Sequence, residues 1–328
     1  MTTPPDAPHI PTGPLLILIN AGSGRNNTEE MRQTIAEILS QADRSHRIVL
    51  ITDPKKLERI ARDAVAEALA NDGAVVIAGG DGTINTIANA ALPSGCPIGI
   101  LPQGTFNYFG RAHGIPENIG DATRALLQSC VQPVQVGLVN ERLFVVNASL
   151  GLYPKLLQDR EAYTHQYGRS RLVATWAGLL TVMRWKRPMR LMLEGNGVPV
   201  TLKTFTLFVG NNRLQMEQLG IPLGAAVEDG QLAVVALRPV ATLGMFWLVL
   251  RGAFNKLGDA ENIVSFGLEK MKVKLAHLSP RRRIKVATDG EIAWLRAPLT
   301  FQVSPKPLYL LKPPATAALE TFTSTSTT

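Results

Sequence analysis

The sequence predicts an N-terminal parallel α/β domain followed by a second, mostly β domain. Three observations carry this. Apolar runs ending in glycine alternate with apolar stripes at helical spacing over residues 14–101. After about Gln132 the chain changes to short strand-like runs separated by turns. And 328 residues exceed the roughly 250–300 at which single cores stop growing, while an apolar share of 45% against 18% charged residues can fill a sizeable core.

PLLILIN (14–20) is a nearly continuous apolar run, the pattern of a strand buried on both faces, and it ends in the tight turn Ala21-Gly22-Ser23-Gly24. Met31, Ile35, Ile38, Leu39 and Ala42 then form one helix face. RIVLIT (47–52) reads as a strand, and Leu57, Ile60, Ala61, Ala64, Val65 and Leu69 as a helix stripe. AVVIA (74–78) is a second glycine-terminated strand, Ile84, Ile87, Ala88 and Ala91 mark a short helix, and PIGIL (97–101) is a strand before a Gly/Asn-rich loop. Such alternation builds right-handed βαβ units, hence a parallel sheet with helices on both faces.

Downstream, VQVGLV, RLFVVNASLG, RLMLEG, KTFTLFVG, GQLAVVAL, MKVKLA and RRIKVA supply the β domain, interrupted by helical stretches at 172–184 and 243–254. The domains are placed at 12–133 and 134–300. PLTFQVSPKPLYLL (298–311) reads as a strand pair, with 301–312 a candidate return strand to the first domain, and 313–328 has the composition of a disordered tail.

Thirty-four Lys and Arg against 26 Asp and Glu give a net charge of +8, which favours anionic partners. No recognised nucleic-acid motif accompanies the charge, so no nucleic-acid partner is expected. Cys96 and Cys130 form no CxxC pair, and the five histidines show no metal-ligand spacing. The first residues lack the basic and apolar regions of a secretory signal, and the longest apolar run falls short of the roughly 20 residues a bilayer-crossing helix needs. A cytoplasmic protein is expected.

Gly79-Gly80-Asp81-Gly82-Thr83 sits where a buried strand meets a helix, at the carboxyl end of a parallel sheet, where such folds bind ligands. Two glycines let a backbone approach phosphate, and a helix N-terminus offers N–H groups and a positive dipole. Thr83 can cap the helix or donate a hydroxyl. A carboxylate beside such a cradle would repel its ligand, so Asp81 points to Mg²⁺ or a substrate hydroxyl as partner. Asn20 through Arg25 and 101–107 end strands at the same sheet edge and add glycines, hydroxyls and amides. Taken alone, Gly22-Ser23-Gly24 is equally well read as a plain βα turn, and it matches neither a Rossmann fingerprint nor a P-loop.

NAGSG, GGDGT and LPQGTFN, in this order, resemble the diacylglycerol kinase catalytic domain family, shared by bacterial diacylglycerol and lipid kinases and by sphingosine kinases. FVVNASLG, GAAVEDGQLAVV and ATDGE extend the likeness, over about 14–300. GGDG alone also occurs in NAD kinases and phosphofructokinases. The resemblance implies an α/β domain of the NAD kinase and phosphofructokinase type and a C-terminal β-sandwich, with ATP bound between them and its γ-phosphoryl passed to a lipid hydroxyl. By the same likeness, Gly79, Gly80, Asp81, Gly82, Thr83 and Asn85 contact the nucleotide and Mg²⁺, joined by Asn20, Ser23, Gly24, Arg25, Thr52, Gly104, Thr105 and Asn107. Asp289 is the implied base, with Glu291 in the same region, and Asp229 with carbonyls near Ala226 and Gln231 matches a second Mg²⁺ site of some bacterial members.

Read without the resemblance, Asp289-Gly290 and Asp229-Gly230 are also ordinary hairpin turns. Three positions depart from the family pattern: Ala21 replaces a proline, Thr86 a glutamate and Tyr108 an aspartate. The basic clusters 184–187 and 281–285, with Trp185 and Trp247, offer contacts to an anionic bilayer, although Lys and Arg on a strand edge also discourage edge pairing. The expected activity is a lipid kinase peripheral at the inner membrane face, with a homodimer left open. The alternatives are an NAD kinase, or a catalytically silent nucleotide- or lipid-binding protein.

Overall fold

A computed structural model describes residues 10–21, 28–104, 106–152, 154, 188–195, 198–239, 262–276 and 282–314. The chain divides into two units, residues 1–135 with 305–328, and residues 136–304.

The first unit contains β1 (Leu15–Asn20), α1 (Thr28–Gln41), β2 (His46–Ile51), α2 (Leu57–Ala70), β3 (Ala74–Gly79), α3 (Asp81–Ala91), β4 (Ile98–Pro102), α4 (Tyr108–Ala112), α5 (Ile119–Leu127) and β5 (Cys130–Val134). The central strands β3 and β4 are buried along their whole length and β1 along all but its last residue, Asn20, as expected of apolar runs covered on both faces. Helix α1 packs on α5 and α2 on α3, the pairing that right-handed crossovers produce when strand order reverses at β1. Asn118 caps α5 by accepting from the Gly120 and Asp121 amides.

Among its described residues the second unit is mostly strand, with two short helices. It contains β6 (Gly137–Val139), β7 (Arg142–Phe144), β8 (Asn147–Gly151), β9 (Met189–Gly195), β10 (Val198–Thr204) and β11 (Thr206–Gly210). After α6 (Arg213–Gln218) and α7 (Gly224–Glu228) come β12 (Leu232–Leu237), β13 (Ile263–Leu268), β14 (Lys270–Leu275), β15 (Arg283–Thr288), β16 (Glu291–Arg296) and β17 (Leu299–Val303). Two antiparallel sheets, β10-β9-β14-β17-β6-β7 and β13-β12-β11-β8-β15-β16, share one core. In it Leu150, Leu207 and Val234 from one sheet meet Leu193, Val273 and Phe301 from the other, so the β domain is a sandwich. Met216, Ile221, Ala233 and Val235 form a second cluster under α6 and α7.

The chain then returns to the first unit as β18 (Leu308–Lys312), giving the order β2-β1-β3-β4-β18-β5. Here the structure corrects an all-parallel sheet to a mixed one, because β5 runs antiparallel to β18. The segment CVQPV carries a glutamine and a proline, and the sequence pattern assigns it to no element; a strand with proline is tolerated at a sheet edge, where β5 lies. Of the segment 301–312, only β18 joins the first unit, and β17 stays in the sandwich.

The helical stretches 172–184 and 243–254, the basic cluster 184–187, Trp185, Trp247 and the tail from 315 onward lie outside the described residues. Among the described residues no helix is long and apolar enough to cross a membrane.

Candidate functional site

Two groups of residues, one in each unit, carry the predicted chemistry. In the first unit the carboxyl ends of β2, β1, β3 and β4 share one sheet edge, since these four strands are parallel. That edge presents Thr52, which is exposed, together with Asn20, Gly79–Thr83 and the loop after Pro102. Ser23, Gly24, Arg25 and Thr105 lie outside the described residues.

Two loops close on each other through glycines. The Gln103 amide donates to the Gly79 carbonyl (3.1 Å). A Cβ on Gly80 would lie 3.3 Å from the Gly104 Cα, and one on Gly104 would lie 3.0 Å from the Gly80 Cα and 2.8 Å from Asn107 Oδ1. A side chain at either position would be tighter than an ordinary contact and would require the loops or Asn107 to shift, so glycine suits this close approach.

Gly80 is the N-cap of α3 in extended conformation and supplies no side-chain cap, which leaves a helix N-terminus lined by backbone alone. Thr83 does not cap the helix. Its Oγ1 accepts from Asn20 Nδ2 (3.0 Å), tying the end of β1 to the first turn of α3.

Asp81 has a structural task that its sequence context did not reveal. Its carboxylate accepts from the backbone amides of Tyr108 and Phe109, both at 3.2 Å, and so fastens the start of α4 to the start of α3. Burial pushes its carboxyl above the usual range, and the two amide donors oppose that rise. Asn107, in left-handed conformation at φ 48°, is 6% exposed, and its buried Oδ1 has no hydrogen-bond partner among the described residues. A buried acceptor left unpaired beside a glycine cradle is where a ligand donor would be accommodated. Asn85 is 2% exposed and accepts from Asn89 (2.8 Å), so it supports α3 and offers almost no surface to a ligand.

In the second unit Asp289-Gly290 joins β15 to β16, both residues with positive φ, as an Asp-Gly hairpin turn requires. The turn is also anchored. Asp289 Oδ2 accepts from the Val145 amide (2.7 Å), and Oδ1 accepts from those of Val146 (2.8 Å) and Asn147 (2.9 Å). The Asp289 amide in turn donates to the Asn147 carbonyl (2.9 Å). Three charge-assisted bonds fix this carboxylate's position and orientation.

Around it stand residues that sequence reasoning missed. Arg142 donates to Thr288 Oγ1 (2.8 Å) and to Glu291 Oε2 (3.1 Å), which holds the otherwise exposed Glu291. Asn147 Nδ2 donates to Gln215 Oε1 (3.1 Å), Asn211 Nδ2 donates to the Val145 carbonyl (3.2 Å), and Asn212 Oδ1 caps α6 through the Gln215 amide (3.0 Å). The available signal was amides inside otherwise apolar runs, in FVVNASLG and VGNNRLQ, since a buried amide needs a partner.

Asp229 is exposed at the carboxyl end of α7, and the Ala226 carbonyl accepts from the Gln231 amide (2.9 Å). Among the described residues no three His, Cys, Asp or Glu side chains gather as a metal cluster. A Mg²⁺ ion at the Asp229 turn would therefore be held by one carboxylate, main-chain carbonyls and water.

Comparison with known proteins adds to this geometry. Residues 14–139 match the family described as the diacylglycerol kinase catalytic domain. A diacylglycerol kinase of Bacillus subtilis is 32% identical over 146 residues, 44% of this chain and 47% of its own. An uncharacterized protein of Synechocystis is 26% identical over 315 residues, 90% of this chain and 70% of that protein. The crystal structure of a diacylglycerol kinase from Bacillus anthracis superposes with a TM-score of 0.67 at 18% identity, covering 92% of this chain and 98% of that one, so the fold is shared.

Proposed function

We propose, from the match of residues 14–139 to the diacylglycerol kinase catalytic domain family, that this protein is an ATP- and Mg²⁺-dependent lipid kinase. It transfers the γ-phosphoryl group of ATP to the hydroxyl of diacylglycerol or a related lipid alcohol. The observation that carries the reading is the glycine cradle in which a Cβ on Gly80 or Gly104 would lie only 3.3 or 3.0 Å from the facing Cα, at a helix N-terminus and beside Asn107 Oδ1, which has no partner among the described residues. A backbone surface of this kind suits the phosphate chain of a nucleotide, and Asn107 Oδ1 suits one of its hydroxyl or amino donors.

Phosphoryl transfer passes through a loose transition state, so the protein's tasks are alignment and charge neutralisation. Mg²⁺, when bound with the nucleotide, supplies neutralisation at the phosphate oxygens. The α3 N-terminus adds its dipole to that task, and the Asn20 to Thr83 bond holds the turn that presents it. Asp289, fixed by three amides, takes the proton of the acceptor hydroxyl as the new O–P bond forms and the bond to the departing ADP breaks. Arg142 keeps Glu291 beside that turn. The family match favours neither an NAD kinase nor a silent binding protein.

The test is transfer of labelled γ-phosphate from ATP, with Mg²⁺, to a panel of diacylglycerol, monoacylglycerol, sphingosine, ceramide and NAD. A labelled lipid is the expected product. Label confined to NADP, or no transfer despite measurable ATP binding, would overturn the reading.

A further inference from the structure

The hairpin of β15 and β16 is an edge of its sheet, and its two faces differ sharply. Ile284 and Val286 point into the sandwich core. Alternation therefore turns Arg283 and Lys285 outward, where their cross-strand partners are Arg296 and Trp294. Arg283 and Arg296, both exposed, stand directly opposite each other, an arrangement that disfavours folding unless an anion lies over it. Among the described residues neither Arg is in an ion pair, and Arg282 adds a further exposed cation. Trp294 is 58% exposed, and the Lys285 ammonium lies 5.1 Å from its ring centroid. Cations alone would protect a strand edge from mispairing. An exposed indole among them serves no such purpose.

We propose that this outer hairpin face docks on an anionic bilayer, with Trp294 among the headgroups and Arg282, Arg283 and Arg296 on lipid phosphates. An indole combines an apolar body with a polar N–H and suits the membrane interface, while arginine forks pair with phosphate. The register adds a consequence. The Lys285 and Trp294 pair lies three rungs from the Thr288 and Glu291 pair that flanks the Asp289-Gly290 turn, or roughly 10 Å along the hairpin at strand spacing. A bilayer on this face would thus lie close to the proposed base. The purpose of the contact rests on the lipid-kinase reading, although its detection does not.

Co-sedimentation of the full chain with phosphatidylcholine vesicles, with and without phosphatidylglycerol, measures the docking. The wild type should pellet only with anionic vesicles and be released by salt. Because each Arg near an anionic surface contributes roughly a fivefold gain, Arg283→Gln with Arg296→Gln should lower vesicle affinity about 25-fold. Trp294→Ala should lower it roughly tenfold. Removing the repulsion between Arg283 and Arg296 should leave the double variant's thermal midpoint at or above that of the wild type, the Trp294 variant should remain folded at the assay temperature, and transfer to a short-chain, monomerically soluble diacylglycerol should stay unchanged. Variants that bind vesicles as the wild type does would overturn the proposal, as would equal binding to neutral vesicles or preferential binding to single-stranded nucleic acid. Anionic-vesicle binding that is lost in the variants, in a protein that phosphorylates no soluble acceptor, would sustain the docking and refute the kinase reading.

Discussion

Replacing Gly104 by alanine tests whether the two phosphate loops depend on main-chain contact. Gly104 is not among the glycines with positive φ, so the backbone conformation itself is open to alanine, and any cost comes from packing. The new Cβ would lie 3.0 Å from the Gly80 Cα and 2.8 Å from Asn107 Oδ1, against the roughly 3.5–4.0 Å of a relaxed carbon contact. The loop or Asn107 must retreat by roughly half an ångström. Overpacking of this size costs about 1–3 kcal/mol, and loss of the neighbouring Gln103 to Gly79 bond adds about 1 kcal/mol. Displacement also misplaces the amides that would face a phosphate, so ATP affinity should fall at least tenfold. Gly80→Ala, whose nearest contact is 3.3 Å, should show a smaller loss of both. Urea denaturation and calorimetric ATP titration measure the two effects. A Gly104→Ala protein with wild-type stability and wild-type ATP affinity would refute the cradle.

Further tests reach other parts of the chain. Burial holds His113 neutral, its pKa pushed down to about 3 from 6.5. The stability this contributes is complete above pH 6.5 and is lost as pH falls toward 3. Between pH 7 and 5 the loss should be about 2 kcal/mol. His113→Phe should be less acid-sensitive by that amount in urea titrations at the two pH values, and equal sensitivity would contradict the burial argument. Asp81 has the opposite sign: its raised carboxyl pKa means that its contribution is largest below 3.8 and declines as pH rises through the folded value. The wild type should therefore gain on Asp81→Asn as pH is lowered from 7 to 4.5, and a gap independent of pH would be inconsistent with a buried carboxyl. Gln215→Leu leaves the Asn147 amide buried without its acceptor and should cost about 1–3 kcal/mol. A double-mutant cycle with Asn147→Ala should show coupling near 1 kcal/mol, and additive losses would mean the pair does not act together.

Much of the fold was legible because apolar runs such as PLLILIN and AVVIAG admit few placements: a strand without polar positions must be covered on both sides. β5 was not, since CVQPV, with its proline and glutamine, is assigned to no element by its sequence, and only pairing with the distant β18 makes it a strand. The cradle followed from local chemistry, glycines at a strand-to-helix junction, and the family resemblance drawn from it is borne out. Asp81 shows where local reasoning fails. Its carboxylate serves the amides of Tyr108 and Phe109, more than 25 residues away in sequence, and no short-range pattern encodes that contact. Arg142 and the amides of Asn147, Asn211 and Gln215 were hidden for the same reason: each is informative only through a partner brought near by the sheet, whereas Asn212 caps α6 through the amide three residues on, a local signal.

The most direct test of the account is the Asp289→Asn protein, compared with the wild type for ATP affinity and for the rate of phosphoryl transfer to lipid. Asparagine tolerates the left-handed φ of 48°, so the turn persists, with the thermal midpoint as control for the altered bond to Val145. The account predicts transfer reduced by roughly 10²–10⁴-fold, the range of a lost general base, and ATP affinity within about threefold of wild type, because the nucleotide loops belong to the other unit. Transfer within a factor of about ten of wild type would contradict it.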